Sequence, residues 1–185
     1  MSNKFNFCPE CGSKKIETLG LKKWKCPDCG FTLYNNVAAA VGLVICDGQG
    51  NVLFEKRAKE PRKGFLALPG GFCDMDESAE EGAVRECIEE TGTVPRNIKY
   101  IATFPNTYEY KGITYKTCDI FFSAEVDCRD EAGNEKPLLE ILRPQESEVV
   151  DFTVHKVESG NDIENLPLAF NSAKLALNEW LKSKL

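Results

Sequence analysis

The 185-residue chain lacks several things, and each lack excludes something. It has no run of about 18 apolar residues, so no membrane-spanning helix is predicted. The longest apolar run, "VAAAVGLVIC" at 37–46, is short and internal. The opening "MSNKFNFCPECG" has no apolar signal segment, so a cytoplasmic protein is expected. There are no internal repeats and no low-complexity tract. Histidine occurs once, as His155 at the end of a strand pattern, and is read as structural or surface-exposed. Any general base is then expected to be a carboxylate.

At 42% hydrophobic residues, the chain can bury a core of one ordinary domain plus a small appendage. The formal charge of -6 is uneven. Residues 1–36 carry six lysines against Glu10, Glu17 and Asp28, a net of +3, which leaves -9 for the rest. A basic head on an acidic body follows.

Nine cysteines, an odd number, do not form a secreted disulfide framework and suit a reducing compartment. Five are scattered (46, 73, 87, 118 and 128) and are read as small buried hydrophobes. The other four stand in "CPECGSKKIETLGLKKWKCPDCG", two Cys-x-x-Cys-Gly turns separated by fourteen residues. Such turns aim backbone amides at the sulfurs. Two facing turns give the tetrahedral four-thiolate shell that zinc prefers, from Cys8, Cys11, Cys26 and Cys29. So short a segment has almost no core, and metal binding would supply its folding free energy. Redox pairs or disulfides are the alternative. The pattern resembles a zinc ribbon over residues 1–34.

"YNN" at 34–36 reads as a joint, and a second domain is expected over 37–185. Strands are predicted in "VAAAVGLVIC", "VLFEKR", "FLALPGGF", "IKYIATF", "ITYKTCDIFFSAEV" and "SEVVDFTVHKV", with a turn at 47–51 and a charged loop at 128–137. Phe170, Ala173, Leu177, Trp180 and Leu181 share one face of a helix over 170–185. Strands mixed with two helices indicate an α/β or α+β layered domain.

The other helix is predicted over 78–91. Ser78 and Glu81 form a capping box, and Gly92 supplies the left-handed C-terminal residue. Glu86, Glu89 and Glu90 span about 100° of its surface, with Gly82 one turn earlier on the same arc. Val84, Cys87, Ile88 and Thr91 lie opposite and are expected to pack on the sheet. Like charges at these spacings repel by roughly 0.2–0.5 kcal/mol per pair. Hard oxygen donors converging on a cleft suit magnesium or manganese, which would convert the repulsion into coordination. Arg85, four residues from both Glu81 and Glu89, can orient either. A solvated acidic helix face is the alternative.

Spacing bears on that choice. Gly71, Glu77, Arg85, Glu86, Glu89, Glu90 and Gly92 match all seven fixed positions of Gly-x5-Glu-x7-Arg-Glu-U-x-Glu-Glu-x-Gly-U, with Cys87 and Thr93 at the two apolar positions U. The chance of such a match is on the order of one in a million per chain. The stretch resembles the Nudix box. "AAAVGLVI", "PRKGFLALPGGF" and the terminal helix extend the resemblance over 37–185. A zinc ribbon ahead of such a domain is similar to the NADH pyrophosphatase group, although "IATFPNTYEY" keeps only the Phe-Pro of that group's motif after the box.

The resemblance implies an α/β/α sandwich around a mixed sheet. It implies hydrolysis of a nucleoside diphosphate linked to another group, with ADP-ribose or an NADH-like dinucleotide favoured. It implies magnesium, or manganese, on Glu86, Glu89, Glu90 and the carbonyl of Gly70, with Glu77 bracing the loop–helix junction and Arg85 holding the acids. The base is one of the box glutamates or an acid outside it: Glu148 first, then Glu146 and Asp119. Among the cations of "EKRAKEPRKG", Arg57 or Lys63 is the candidate phosphate contact. Phe65, Phe72, Phe104, Tyr108 and Tyr110 could stack on a base, although core packing is the first reading of each. Nudix domains often pair, so a homodimer is open. Two other functions stay open: RNA or DNA binding, or decapping, through the basic ribbon with Trp24 among its lysines, and nucleotide sensing without catalysis.

Overall fold

The computed structural model describes residues 5–20, 23–47, 50–129 and 132–184. The centre of the predicted 47–51 turn, part of the 128–137 loop, and residues 4, 22 and 185 lie outside the described residues.

A small antiparallel sheet comes first, β1 (Glu17–Leu19), β2 (Lys23–Lys25) and β3 (Thr32–Tyr34). Among the described residues its one large buried apolar side chain is Trp24, packed edge-on against Phe5 at 4.6 Å. Trp24 is therefore closed to a nucleobase, and any nucleic-acid contact of the basic ribbon falls to its other residues.

Next come β4 (Ala38–Ile45), β5 (Asn51–Arg57), β6 (Leu66–Ala67), α1 (Ala79–Thr91), β7 (Pro95–Tyr110), β8 (Ile113–Val126), α2 (Leu138–Ile141), β9 (Val149–Lys156), α3 (Gly160–Asn165) and α4 (Asn171–Lys182). β4 pairs parallel with β8, and β7 pairs antiparallel with β8. β5 lies between β6 and β9, antiparallel to both. A bridge from Cys46 to Val52 joins the two groups. The short helices α2 and α3 carry too little apolar periodicity to be read from sequence.

Alternation along the strands feeds two cores. Leu43, Ile45, Leu53 and Phe122 pack with Ala83 and Cys87 of α1, and with Leu138 at the start of α2. Val44, Val52, Phe54 and Phe121 pack with Ile163 of α3 and with Ala173, Ala176, Leu177 and Trp180 of α4. Each large apolar side chain so buried contributes about 1.5–3 kcal/mol. The result is the expected α/β/α sandwich with a mixed sheet.

Helix α1 is rotated from the expected orientation. Its buried residues are Gly82, Ala83, Cys87, Glu90 and Thr91, while Val84 is half-buried and Ile88 is 42% exposed. Ala83 packs with Val41 and Leu43 of β4, Gly82 leaves room for Glu77, whose Oε1 a Cβ there would meet at 2.8 Å, and Glu90 goes inward because it finds partners there. Of the five scattered cysteines only Cys87 is fully buried, and all nine cysteines are free thiols.

Candidate active site

A cavity of about 400 Å³ opens between α1, the strand ends and the start of α4. Its walls include Glu55, Arg57, Lys59, Gly70, Arg85, Glu86, Glu89, Glu90, Asp119 and Glu148.

The loop into α1 fixes the acids. Residues 69–73 run beside β4: Val41 N–H donates to Gly71 O (2.8 Å), Leu43 N–H to Pro69 O (2.8 Å) and Cys73 N–H to Ala39 O (3.2 Å). Gly70 has φ +146°, and a Cβ there would meet Val41 O at 2.1 Å. At Gly71 a Cβ would meet Glu86 Oε1 at 2.5 Å. Only glycine lets the loop come this close. Gly70 N–H then donates to Glu90 Oε2 at 2.7 Å.

Ser78 caps α1. Its hydroxyl accepts from Glu81 N–H (3.2 Å) and Glu81 Oε2 accepts from Ser78 N–H (2.8 Å). Glu81 is thereby used as a cap, and Arg85 turns instead to Glu77, Glu86 and Glu89. Its fork gives Glu77 two bonds, Nη2 to Oε1 (2.7 Å) and Nε to Oε2 (3.0 Å), with Nη1 reaching Glu86 Oε1 (2.8 Å) and Glu89 Oε2 (3.3 Å). Nη2 also reaches Phe72 O at 3.0 Å. Glu77 Oε1 accepts from Asp74 N–H (2.7 Å), which ties loop to helix. The Arg85 guanidinium draws the Glu77 carboxyl down to about 2. Burial pushes Glu86 up, against the pull of Arg85.

Glu55 was not among the expected site residues. It lies on β5, only 2% exposed, facing Glu90, which is 5% exposed. Burial raises both carboxyls, the Glu55 charge raises Glu90 further, and a hydrogen bond between the two carboxyls pulls Glu55 back down. A faint signal exists in "VLFEKR". Residues alternate in a strand, so Leu53, Glu55 and Arg57 share a face, and an acid there follows a core leucine.

The chemistry of these donors fits a hard divalent cation: buried carboxyl oxygens at the floor and half-buried ones above. Among the described residues, though, only the four cysteines form a group of three or more whose ligand atoms lie within 4.8 Å of one another. Cys8 and Cys29 sulfurs lie 3.7 Å apart, as do those of Cys11 and Cys26. A tetrahedron with Zn–S of about 2.3 Å requires about 3.8 Å. The Cys29 amide helps draw the Cys26 thiol down to about 7. The cluster fits a zinc ribbon.

The loop, the capped helix and the Arg85-centred acids carry the whole box motif, and the NUDIX domain family model matches residues 37–176. The chain belongs to the NUDIX family. It is 30% identical over 105 residues to the NAD-capped RNA hydrolase NudC of Vibrio cholerae, covering 57% of this chain and 38% of that protein. It is 42% identical over 85 residues to the ADP-ribose pyrophosphatase of Methanocaldococcus jannaschii, covering 45% of this chain and 46% of that protein. The chain thus spans less than half the length of these curated relatives. A NUDIX hydrolase structure from Nitrosomonas europaea shares the fold, with a TM-score of 0.65 and 22% identity over 97% of this chain and 92% of that one.

Around the NUDIX box, the other candidates separate. Glu148 lines the cavity in an ion pair with Lys59, which also lines it. Glu146 is exposed and outside the lining. Asp119 is buried in the wall, accepting from Ser172 Oγ (2.7 Å) and Asn106 Nδ2 (2.9 Å). Arg57 lines the cavity with its guanidinium 5.3 Å from the Phe170 ring, whereas Lys63 is exposed and outside the lining. Phe72 and Tyr108 line the cavity rather than the core, 5.3 Å apart, and Tyr108 stands 5.8 Å from Phe170. Phe104 packs against the core as expected, while Phe65 and Tyr110 are exposed. His155 stands outside the lining, with Nε2 3.1 Å from Thr153 Oγ1. Lys59 belongs to the cationic stretch "EKRAKEPRKG", whereas Phe170 becomes visible as a cavity residue only when the loops and α4 close the cavity.

Proposed function

We propose that this chain is a metal-dependent pyrophosphohydrolase acting on a nucleoside diphosphate linked to another group, with ADP-ribose or an NADH-like dinucleotide as the leading substrate. The observation that carries this is the box itself, folded so that Arg85 braces Glu77, Glu86 and Glu89 on the wall of a 400 Å³ cavity that ends in aromatic side chains. The relatives' names, an ADP-ribose pyrophosphatase among them, support the same substrate class.

Glu86, Glu89, Glu90 and the Gly70 carbonyl would hold magnesium or manganese. Bound there, the ion supplies charge neutralisation at the diphosphate and a polarised water. The protein's residues do the rest. Arg85 fixes the acids before substrate arrives, so no reorganisation is needed during reaction. Glu148 is the base candidate outside the box, because it lines the cavity and Glu146 does not. Arg57 takes a phosphate, with Lys59 beside it and Lys63 as a more distant alternative. Phe72, Tyr108 and Phe170 flank the base.

A phosphatase-coupled phosphate-release screen in magnesium tests this over ADP-ribose, NADH, NAD, diadenosine polyphosphates, nucleotide sugars and nucleoside triphosphates. One strong dinucleotide or ADP-ribose substrate is expected. For it, Arg57→Ala should raise KM roughly tenfold, the worth of one charge-assisted hydrogen bond. Release from triphosphates alone would contradict the substrate class. A second reading, action on a dinucleotide cap carried by RNA, is favoured by one feature of the ribbon. Its exposed Phe7 and Tyr34 rings lie under Lys14 and Lys23, at 5.7 and 5.8 Å. Deleting residues 1–34 should then lower turnover of capped RNA but not of the free dinucleotide.

A further inference from the structure

The box residues leave one acid of the cavity unexplained. Glu55 is 2% exposed, and its Oε2 is buried without a hydrogen-bond partner. A hydrogen bond to Glu90 occupies one side of the carboxyl only, and an unpaired polar atom inside a cavity calls for something to satisfy it. Glu55 also faces Glu90, whose Oε2 is taken by the Gly70 amide. The Arg57 charge acts on Glu55, but the nearby guanidinium hydrogen bonds go elsewhere. Arg85 spends its fork on Glu77, Glu86 and Glu89. Arg57, on the same strand face, donates Nε to Pro61 O at 3.0 Å and lies over Phe170. Glu86 and Glu148 add negative charge around the same floor.

We propose that Glu55 is a further carboxylate ligand of the divalent-cation site, reaching the ion from β5 opposite the box helix. This rests on the metal-dependent reading above. The placement explains three observations together: the orphaned Oε2, the burial of two facing carboxyls, and the acid on the core face of a central strand. One cation between Glu55 and Glu90 would satisfy the orphan and offset the repulsion. The site would then grip its ion between the sheet and the helix, so the metal would also clamp α1 to β5.

The test is Mn²⁺ binding to the full chain, followed by electron paramagnetic resonance, with one equivalent of zinc added so that the four thiols do not take up manganese. Glu55→Gln keeps the shape and can donate its amide to Glu90, so its metal-free Tm should equal or exceed that of wild type. Its Mn²⁺ affinity should fall by at least the roughly 10- to 100-fold that losing even a supporting partner costs. Glu55→Met, apolar and similar in volume, guards against a local effect of the amide and should lose affinity equally. The thermal shift on adding Mn²⁺ should shrink in both variants. If Glu55→Gln and Glu55→Met bind as wild type while Glu89→Gln is weakened, Glu55 is not a ligand and the box site stands. If wild type itself shows no saturable binding, both readings fall.

Discussion

At the residue scale, the site depends on one guanidinium. Arg85 makes five hydrogen bonds, four to carboxylates and one to the Phe72 carbonyl. Lysine keeps the charge but not the fork. Arg85→Lys should cut kcat more than tenfold and cost about 1–2 kcal/mol of stability, the pairs being partly screened by water; steady-state kinetics and denaturant titration check both. Glu77 gives a pH signature. Arg85 holds its carboxyl at about 2 when folded, against about 4.3 unfolded. A depressed folded value means stabilisation that is complete above the unfolded value and is lost as pH falls towards the folded one. The Tm of wild type should therefore drop between about pH 4.5 and 2, and Glu77→Gln should flatten that part of the profile. Asp74, Glu86 and Glu89 face the same guanidinium and bound how flat it becomes. Spacing made Glu77, Arg85, Glu86, Glu89 and Glu90 legible in the sequence, because covalent spacing on a helix is also spatial spacing. Glu55 was not legible: it meets Glu90 only through strand–helix packing, 35 positions away in sequence.

At the element scale, the loop before α1 decides what the helix can do. Gly70→Ala drives a Cβ into backbone at 2.1 Å in a conformation alanine avoids, with φ +146°. A loss above about 3 kcal/mol is expected from such strain and overlap. Gly71→Ala meets only the end of the Glu86 side chain, at 2.5 Å. It should fold with nearly the wild-type Tm and lose metal affinity instead, as parallel thermal and Mn²⁺ titrations would show. Helix α1 was legible to the residue at both caps, since capping is local chemistry. Its rotation was not, because the apolar residues at 84 and 88 suggested one face and the packing of Ala83, with the partners of Glu90, imposed another. Strand β8 matched its apolar and β-branched run over 113–126, while α2 and α3 form only because the returning chain packs there.

At the scale of the whole molecule, two donor sets share one chain: four soft thiols in the ribbon and hard carboxylates in the NUDIX domain. If the four thiols hold zinc, its removal should unfold the ribbon, which among the described residues has little core beyond Trp24 and Phe5, and leave residues 37–185 folded. Amide NMR spectra before and after chelation would show this, and Cys26→Ser should reproduce it. Among the described residues, no helix is long and apolar enough to cross a membrane. The measurement closest to the central claim is AMP formation from ADP-ribose and from NADH, followed by chromatography with and without magnesium, in wild type and Glu89→Gln. Glu89 keeps 47% of its side chain in water, so the substitution should spare the fold. AMP from wild type in magnesium, reduced at least 100-fold in the variant, is expected of a metal-assisted site. Equal AMP formation by both proteins, or none from either substrate, would contradict it.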